Sequence, residues 1–228
     1  MGIFRLGILG GTFNPIHRGH LHIARSVQKL FSLSEIRFVV ANTPPHKSQK
    51  SLIALTHRYA MVSLATSEEP SFVPSLIELE PHASSYSVDT MRKIARAMDR
   101  NKGEVYFIAG GDSLCEVKSW RESENLLTTY NFIFVLRPGF DTGNLKDYLP
   151  EKARGRVCDC SGYGRPRIKK LIEDDRTGKN RVFIVDTDAP DISATQIRNL
   201  AAAGKNFSSF IPAPVYAYIQ KLHLYGGR

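Results

Sequence analysis

Cysteine is scarce in this sequence, which removes two ways of stabilising a fold. There are three cysteines among 228 residues, at positions 115, 158 and 160. An odd number this small cannot form a disulfide framework, and it favours reduced thiols. Cys158 and Cys160 have no second pair of Cys or His residues at zinc-site spacing, so the sequence gives little support for a structural metal.

Long apolar runs and a secretion signal are also missing. The N-terminal segment MGIFRLGILGG is too short and too rich in glycine for a signal peptide. No apolar stretch approaches the roughly 20 residues of a membrane-spanning helix. We therefore expect a cytoplasmic protein that has no membrane partner.

Negative charge is in short supply. The sequence has 22 Asp and Glu against 31 Lys and Arg, which gives a formal net charge of +9. Residues 151–181 alone hold ten basic and five acidic residues. Such an excess favours an anionic partner, which could be nucleotide phosphates, nucleic acid or an acidic surface.

Apolar runs alternate with segments of helical periodicity along the chain. The apolar runs predict strands at 3–9, 35–40, 72–80, 104–110, 130–137 and 181–187. The periodic segments predict helices that begin near Gly19, Ser87 and Ser193, and helices over about 53–66 and 212–224. This alternation predicts an α/β fold with a doubly wound, mainly parallel sheet and helices on both faces. We expect a single domain over 1–228, with a basic, less regular segment at about 141–180.

Ligands of such sheets bind beyond the carboxyl ends of the strands, so the residues after each strand are the candidate ligand contacts. GGTFNPIHRGH, residues 10–20, follows the first predicted strand and is called the signature segment below. It lacks the G-x-G-x-x-G pattern, and no acidic residue ends the second strand, which argues against a dehydrogenase-type dinucleotide loop. The chain contains no G-x-x-x-x-G-K-[ST], so it has no P-loop.

The signature segment nevertheless has the features of a phosphate site. Gly10 and Gly11 let backbone amides approach an anion, and the helix that begins near Gly19 directs unpaired N–H groups there. His17 and His20, three residues apart, lie near each other at this entrance. The plainer interpretation is that one or both histidines are structural, but the glycine-bounded loop favours phosphate binding.

The signature segment resembles the G-x-F-[DN]-P-x-H-x-G-H motif of the HxGH nucleotidylyltransferase superfamily. Those Rossmann-like enzymes transfer a nucleotidyl group from a nucleoside triphosphate to a phosphate or similar acceptor. Four further segments narrow the resemblance: ANTPPHK (41–47), SYSVDT (85–90), GGDSL (110–114) with Trp120 shortly after, and ISATQIR (192–198). Together and in this order they resemble the bacterial nicotinate-nucleotide adenylyltransferase family, from about residue 5 to the C-terminal YIQKLHLY, except over 141–180.

Three positions depart from the usual pattern of that family. Gly111 replaces the alanine of G-A-D, Ser87 replaces a common threonine, and Ala194 replaces the second serine of I-S-S-T. The first two changes keep a similar backbone or hydroxyl group. The third removes a hydroxyl beside the expected phosphate site, so Ala194 is left out of the predicted contacts.

The resemblance implies transfer of AMP from ATP to the 5′-phosphate of nicotinate mononucleotide, giving deamido-NAD and pyrophosphate in NAD biosynthesis. The second pKa of a phosphomonoester is about 6, so the nucleophile is largely dianionic at neutral pH and needs no general base. Pyrophosphate leaves bound to a metal ion, so no strong general acid is needed. We expect Mg²⁺ to be carried by ATP phosphates and water, without a dedicated protein cage.

The resemblance also implies residue roles on the ATP side. His17 and His20 would donate to the phosphates, and the planar guanidinium of Arg198 would grip the β- and γ-phosphates. Further expected ATP contacts are Gly10, Gly11, Thr12, Phe13, Asp112, Ile192, Ser193 and Thr195. The alternatives are a solvated helix arginine at position 198 and a helix cap at Asp112.

On the acceptor side, Trp120 matches the aromatic residue that stacks on the pyridine ring in the family. Backbone amides near Ser87, at a helix start, would meet the nicotinate carboxylate. Further candidate contacts to the mononucleotide or to ATP are His46, Lys47 and Arg137. Trp120 could instead fill the core, and the 46–47 pair could be a solvated loop.

Several alternatives remain open from the sequence. The acceptor could be nicotinamide mononucleotide or another phosphorylated molecule. A basic nucleic-acid-binding module could lie at 151–181, but only Tyr163 and Phe183 are near it for base stacking, so no nucleic-acid partner is expected. A homo-oligomer is compatible with the sequence. His57 and Arg58 lie in a predicted helix, where packing and surface roles are equally expected.

Overall fold

The computed structural model describes residues 3–42, 52–79, 84–98, 103–137, 143–174 and 181–226. The strands are β1 (Phe4–Gly11), β2 (Glu35–Val40), β3 (Phe72–Ser75), β4 (Gly103–Gly110), β5 (Asn131–Leu136), β6 (Val157–Asp159) and β7 (Val182–Asp186). The α-helices are α1 (Arg18–Phe31), α2 (Leu55–Thr66), α3 (Ser87–Ala97), α4 (Gly111–Glu116), α5 (Ser123–Thr129), α6 (Glu151–Arg154), α7 (Arg165–Glu173), α8 (Ala194–Ala202) and α9 (Ala213–Lys221). Short 3₁₀ helices cover Val117–Ser119, Leu145–Tyr148 and Ser208–Phe210.

The strands of the described residues form one seven-stranded sheet in the order β3-β2-β1-β4-β5-β7-β6. Every pairing in it is parallel. The chain winds outward from β1 in one direction and from β4 in the other, so a crevice opens between the carboxyl ends of these two neighbours. The signature segment follows β1, and GGDSL follows β4, so both motifs lie at this crevice.

Both faces of the sheet are buried, as the near-continuous apolar strands require. In β4, Tyr106 and Ile108 belong to one apolar cluster, while Phe107 belongs to the other. Residues of α1, α2, α7, α8 and α9 complete the first cluster, and residues of α3 to α6 complete the second. The predicted Rossmann-like, doubly wound α/β architecture is therefore confirmed.

The third strand is shorter than its apolar run predicts. β3 ends at Ser75, because the chain turns directly afterwards and the N–H of Leu79 donates to the carbonyl of Leu76 at 2.8 Å. The short helices α4 and α5 were not predicted, since neither is long enough to show helical periodicity.

The basic segment at 141–180 contributes regular structure to the same sheet. Its described part contains a 3₁₀ helix, α6, β6 and α7, and β6 adds an outermost strand beside β7. Ala153, Cys160 and Ile168 are buried in the two clusters. Burial, with the charges of Cys158 and Asp159 nearby, raises the pKa of the Cys160 thiol to about 12, so it stays protonated at neutral pH.

No helix within the described ranges combines the length and the apolar character that crossing a bilayer requires.

Candidate active site

The turn after β1 is built around a buried phenylalanine. Phe13 has a φ of 45°, in the left-handed region, and the Asn14–Pro15 peptide bond is cis. The Phe13 ring is buried against Phe38 and meets the ring of His20 edge-on, with 5.1 Å between centroids. A Cβ at Gly11 would lie 3.0 Å from the Phe13 ring, which explains the second glycine of the segment. The Phe13 side chain is therefore part of the wall behind the histidines, and a ligand would meet its backbone.

His17 and His20 form a stacked pair at the start of α1. Their ring centroids are 3.7 Å apart, and the backbone N–H of His17 donates to Nδ1 of His20 at 3.2 Å. Because Nδ1 accepts this bond, neutral His20 carries its proton on Nε2 and can act there as a donor. A Cβ at Gly19 would lie 3.0 Å from Nδ1 of His17, so the glycine between the histidines lets the rings pack.

His17 is held uncharged at neutral pH. Its side chain is buried, with 4% of the residue surface exposed. Burial, together with the positive charge of Arg137, lowers the pKa of His17 to about 4. Among the described residues its Nδ1 has no hydrogen-bond partner. An unpaired buried polar atom costs about 1–3 kcal/mol, and a phosphate oxygen, which only accepts, would satisfy it in the tautomer that carries the ring proton on Nδ1.

The helix α8 delivers Arg198 to the signature segment. Its guanidinium donates from Nη1 to the carbonyl of Asn14 at 2.9 Å and from Nη2 to Oγ1 of Thr195 at 3.0 Å. Arg198 is therefore engaged with the phosphate-type loop, not freely solvated on a helix surface. At the N-terminus of α8, Oγ of Ser193 accepts from the N–H of Gln196 at 3.1 Å, so Ser193 caps the helix.

The loop between β7 and α8 completes this side of the crevice. Nη1 of Arg137 lies 3.4 Å from Oδ1 of Asp191, and Nε2 of His22 lies 2.8 Å from Oδ1 of Asp188. The side chain of Ile192 is buried in the core, so any contact it makes with a ligand would come from its backbone. We call the signature segment, Arg137 and residues 192–198 the phosphate side.

The opposite side of the crevice carries the predicted acceptor contacts. Trp120 follows the 3₁₀ helix after α4 and is partly buried, edge-on to Phe107 with 5.9 Å between centroids. Asp112 is exposed in the first turn of α4. Ser87 is the first residue of α3, and Tyr86 before it lies under the guanidinium of Arg121. We call Ser87 and Trp120 the acceptor side, and Asp112, which was expected to contact ATP, lies beside Trp120 along the chain.

Two predicted contacts, His46 and Lys47, lie outside the described residues. Within the described ranges, no group of three or more His, Cys, Asp or Glu side chains is placed to hold a metal ion. The site thus assembles two imidazoles, guanidinium groups and two helix N-termini, all of which can stabilise phosphate charge.

Three residues near the signature segment were missed or left undecided from the sequence. Tyr225 donates from its hydroxyl to Oδ1 of Asn14 at 2.9 Å, a contact across more than 200 residues that no local pattern announces. Arg58 is buried, and Glu78 is buried beside it. Arg58 had a usable signal, because Arg58, Met61, Val62 and Ala65 all lie on the buried face of α2 at helical spacing.

The sequence matches known families over most of its length. Residues 8–200 match the family model described as Cytidylyltransferase-like. A protein of Geobacter metallireducens named probable nicotinate-nucleotide adenylyltransferase is 37% identical over 97% of this chain and 98% of that protein. A protein of the same name from a Thermoanaerobacter species is 34% identical over 97% of this chain and 94% of that protein.

Two solved structures have the same fold. Both are of Plasmodium falciparum nicotinic acid mononucleotide adenylyltransferase. The one complexed with NaAD matches with a TM-score of 0.71 at 19% identity, covering 97% of each chain. The one complexed with APC matches with a TM-score of 0.70 at 18% identity, again covering 97% of each chain. At this level of identity the likeness shows a shared fold.

Proposed function

The chain belongs to the nicotinate-nucleotide adenylyltransferase family, and from this premise we propose that it transfers AMP from ATP to nicotinate mononucleotide. The products are deamido-NAD and pyrophosphate, and the reaction is a step of NAD biosynthesis. The protein is thus a nucleotidyltransferase with two nucleotide substrates.

The observation that carries this proposal is the meeting of two distant motifs at the crevice. Arg198 of the ISATQIR segment donates to the carbonyl of Asn14 in the signature segment, 184 residues earlier. Both motifs were singled out by the resemblance to this family, and both lie where open α/β sheets bind ligands. The acceptor-side residues lie at the start of α3 and in the segment that follows β4.

The reaction requires positioning and charge stabilisation. An oxygen of the mononucleotide 5′-phosphate bonds to the α-phosphorus of ATP, and the bond from that phosphorus to the bridging oxygen of pyrophosphate breaks. The attacking phosphate is largely dianionic at neutral pH, so no side chain has to remove a proton. Negative charge grows on the departing bridging oxygen, and fixed donors that face it lower the barrier.

On the phosphate side, we assign His20 to this developing charge. Its bond with the backbone of His17 leaves the proton on Nε2, where it can donate to the bridging oxygen. His17, which is neutral, would donate to a neighbouring phosphate oxygen. The guanidinium of Arg198 donates one N–H to Asn14 and one to Thr195, and its remaining N–H groups would hold the β- and γ-phosphates.

Other phosphate-side contacts remain predictions that the geometry supports. The residues after β1 and at the start of α8 follow the carboxyl ends of their strands, where ligands of such sheets bind, and the charge of Arg137 acts on His17. The residues assigned on this basis are Gly10, Gly11, Thr12, Phe13, Arg137, Ile192, Ser193 and Thr195. Mg²⁺ would arrive with ATP and neutralise phosphate charge, held by phosphates and water.

On the acceptor side, the partly exposed indole of Trp120 would stack on the pyridine ring, while its edge stays packed on Phe107. Backbone amides at Ser87, the first residue of α3, would bind the nicotinate carboxylate. Asp112 remains a predicted ATP contact, where its carboxylate would accept from a ribose hydroxyl. His46 and Lys47 remain predicted phosphate contacts. We further propose a cytoplasmic location, which the three free thiols support.

Turnover assays with different acceptors test the proposed function. The purified protein with MgATP should form deamido-NAD and pyrophosphate from nicotinate mononucleotide more efficiently than it uses nicotinamide mononucleotide. Calorimetric titration with both mononucleotides and phosphopantetheine checks the same preference as binding. Better use of the amide substrate would overturn the assignment of specificity, and use of phosphopantetheine alone would overturn the assigned reaction.

A further inference from the structure

A buried arginine lies directly behind the crevice and touches its first two loops. Arg58 of α2 has 1% of its surface exposed. Its Nη1 donates to the carbonyls of Thr12 at 2.9 Å and Ala41 at 2.6 Å, and its Nη2 donates to the carbonyl of Asn42 at 2.9 Å. Its Nε donates to the carbonyl of Ile53 at 3.2 Å. One guanidinium thus joins the residues after β1, the residues after β2 and the approach to α2.

A buried carboxylate extends this contact to the acceptor side. Glu78 has 7% of its surface exposed. Its Oε2 accepts from the backbone N–H of Asn42 at 3.3 Å, and its Oε1 accepts from the hydroxyl of Thr90 at 2.8 Å. Thr90 lies in the first turn of α3, the helix that begins at Ser87. Asn42 is therefore bonded through its carbonyl to Arg58 and through its N–H to Glu78.

The two charged groups also stabilise each other. Burial raises the pKa of Glu78 above its usual value, while Thr90, Asn42 and the charge of Arg58 act to lower it. Burial likewise lowers the pKa of Arg58, and the charge of Glu78 opposes this. Removing charges from water costs several kcal/mol each, and apolar side chains often serve stability equally well. A role in fixing geometry explains why charged groups occupy these positions.

We propose that Arg58 and Glu78 are positioning residues that fix the ATP loop and the acceptor helix relative to each other. The connection runs from Thr12 through Arg58, Asn42 and Glu78 to Thr90. It rests on the proposed function, because it assigns ATP to one end and the mononucleotide to the other. This connection holds the attacking phosphate in line with the α-phosphorus of ATP. The alignment matters only when both substrates are bound.

If Arg58 and Glu78 have this role, changing either of them should affect the rate of AMP transfer more than the affinity for either substrate. Displacing reacting groups by about 1 Å costs about 100-fold in rate, whereas each substrate keeps its own contacts. In Glu78→Gln the side chain keeps its shape but loses its charge, and its amide cannot accept from both Thr90 and Asn42. In Arg58→Lys the charge remains, but the fork that reaches several carbonyls is lost.

The experiment measures kcat for both variants and the Kd of each substrate alone by calorimetry, with a non-hydrolysable ATP analogue in place of ATP. We expect kcat to fall about tenfold or more in each variant, while each Kd stays within about threefold of the unaltered protein. Because both residues bond to Asn42, the double variant should lose little more than the worse single variant.

The matched controls are Glu35→Gln and Arg37→Lys. These residues form an ion pair with 2.6 Å between Nε and Oε1 at the amino end of β2, away from the crevice. Both controls should keep kcat within about twofold. Thermal melting separates loss of folding from loss of positioning, and Glu78→Gln is the variant that disturbs packing least.

Two outcomes would overturn the inference: a folded Glu78→Gln variant with unaltered kcat, or a loss of kcat matched by an equal rise in the Kd of one substrate. Turnover of nicotinate mononucleotide by the unaltered protein tests the proposed function separately. If that turnover is observed, an unaffected variant counts against the positioning role alone.

Discussion

The phosphate side and the acceptor side of the crevice are held by different means. Asn14, at the centre of the phosphate side, is bonded by Arg198 through its carbonyl and by Tyr225 through its side chain. Trp120 follows a short 3₁₀ helix and is partly buried, and Asp112 lies in the first turn of the short helix α4 and is exposed. One side is thus tied to distant parts of the chain, and the other is presented from local elements at the surface.

This difference fits two tasks: the phosphate side stabilises the transition state, and the acceptor side binds the mononucleotide. A donor that stabilises charge in the transition state must already be in place when the charge develops, so its surroundings have to be rigid. A stacking ring and a helix start bind the acceptor before and during the reaction, and they act largely through binding. Changes on the phosphate side should therefore lower kcat, and changes on the acceptor side should raise KM.

Removing the imidazole of His20 on the phosphate side should have the largest effect. His20→Ala should remain folded and lose about 100-fold or more in kcat, as the loss of one transition-state donor does. Steady-state kinetics measure the loss, and circular dichroism checks the fold. His22→Ala, which removes a more exposed imidazole of the same helix, should keep kcat within about threefold. A kcat for His20→Ala close to that of the unaltered protein would refute the assignment.

A smaller change tests whether the ring pair has to be stacked as it is. Gly19→Ala places a Cβ 3.0 Å from Nδ1 of His17 and should push that ring away, lowering kcat about tenfold. Gly155→Ala is the matched control, since a Cβ there meets nothing within 4 Å. If both alanine variants have equal kcat, the stacking of the rings has no part in catalysis.

The acceptor side is tested by its ring. Trp120→Ala should raise KM for nicotinate mononucleotide about fivefold or more, because stacking on a base contributes about 1–3 kcal/mol. The KM for ATP should change little, and Trp120→Phe should recover part of the loss. If only the KM for ATP rose, Trp120 would contact ATP and not nicotinate mononucleotide, which would contradict the assignment.

The smallest effect concerns pH and stability on the phosphate side. His17 stays neutral in the folded protein down to about pH 4, whereas in the unfolded chain it is protonated below about pH 6.5. Between these values the unfolded state binds more protons, so stability falls as pH falls, by up to about 1 kcal/mol per pH unit. Stability should be fully retained above pH 6.5.

Urea unfolding from pH 7.5 to 4.5 measures this dependence. His17→Gln should show a flatter decline than the unaltered protein, and His223→Gln, which removes an exposed imidazole, should not. Identical slopes in all three proteins would mean that the folded-state pKa of His17 is not depressed.

The sequence predicted the strands and the signature segment well, because both depend on local patterns. The apolar runs of β1, β2, β4, β5 and β7 are bounded by polar residues and were located to within about two residues. β6 was not predicted, because a three-residue strand at the sheet edge shows no period to detect. It pairs with β7, a strand that begins more than 20 residues later in the chain.

In the candidate site, the sequence revealed the residues that belong to contiguous motifs. It did not reveal the residues that hydrogen-bond to those motifs from elsewhere in the chain. His17 and His20 stand within one recognisable segment. Tyr225 and Glu78 carry no motif, and their importance comes from contacts with Asn14 and Asn42 that only the folded chain creates. Arg58 was noticed but left undecided, because arginine is ordinarily exposed, although its helical spacing with Met61, Val62 and Ala65 was a usable signal.

The bond between Tyr225 and Asn14 has a consequence for biosynthesis. The β1–α1 unit can begin to fold early during translation, because its strand and helix are adjacent in sequence. Asn14 obtains its bonds to Arg198 and Tyr225 only after residues 198 and 225 have left the ribosome. In a nascent chain, His17 and His20 are therefore synthesised well before the two residues that hold the Asn14 loop in place. The ability to bind nucleotide should appear late, after the sheet has formed.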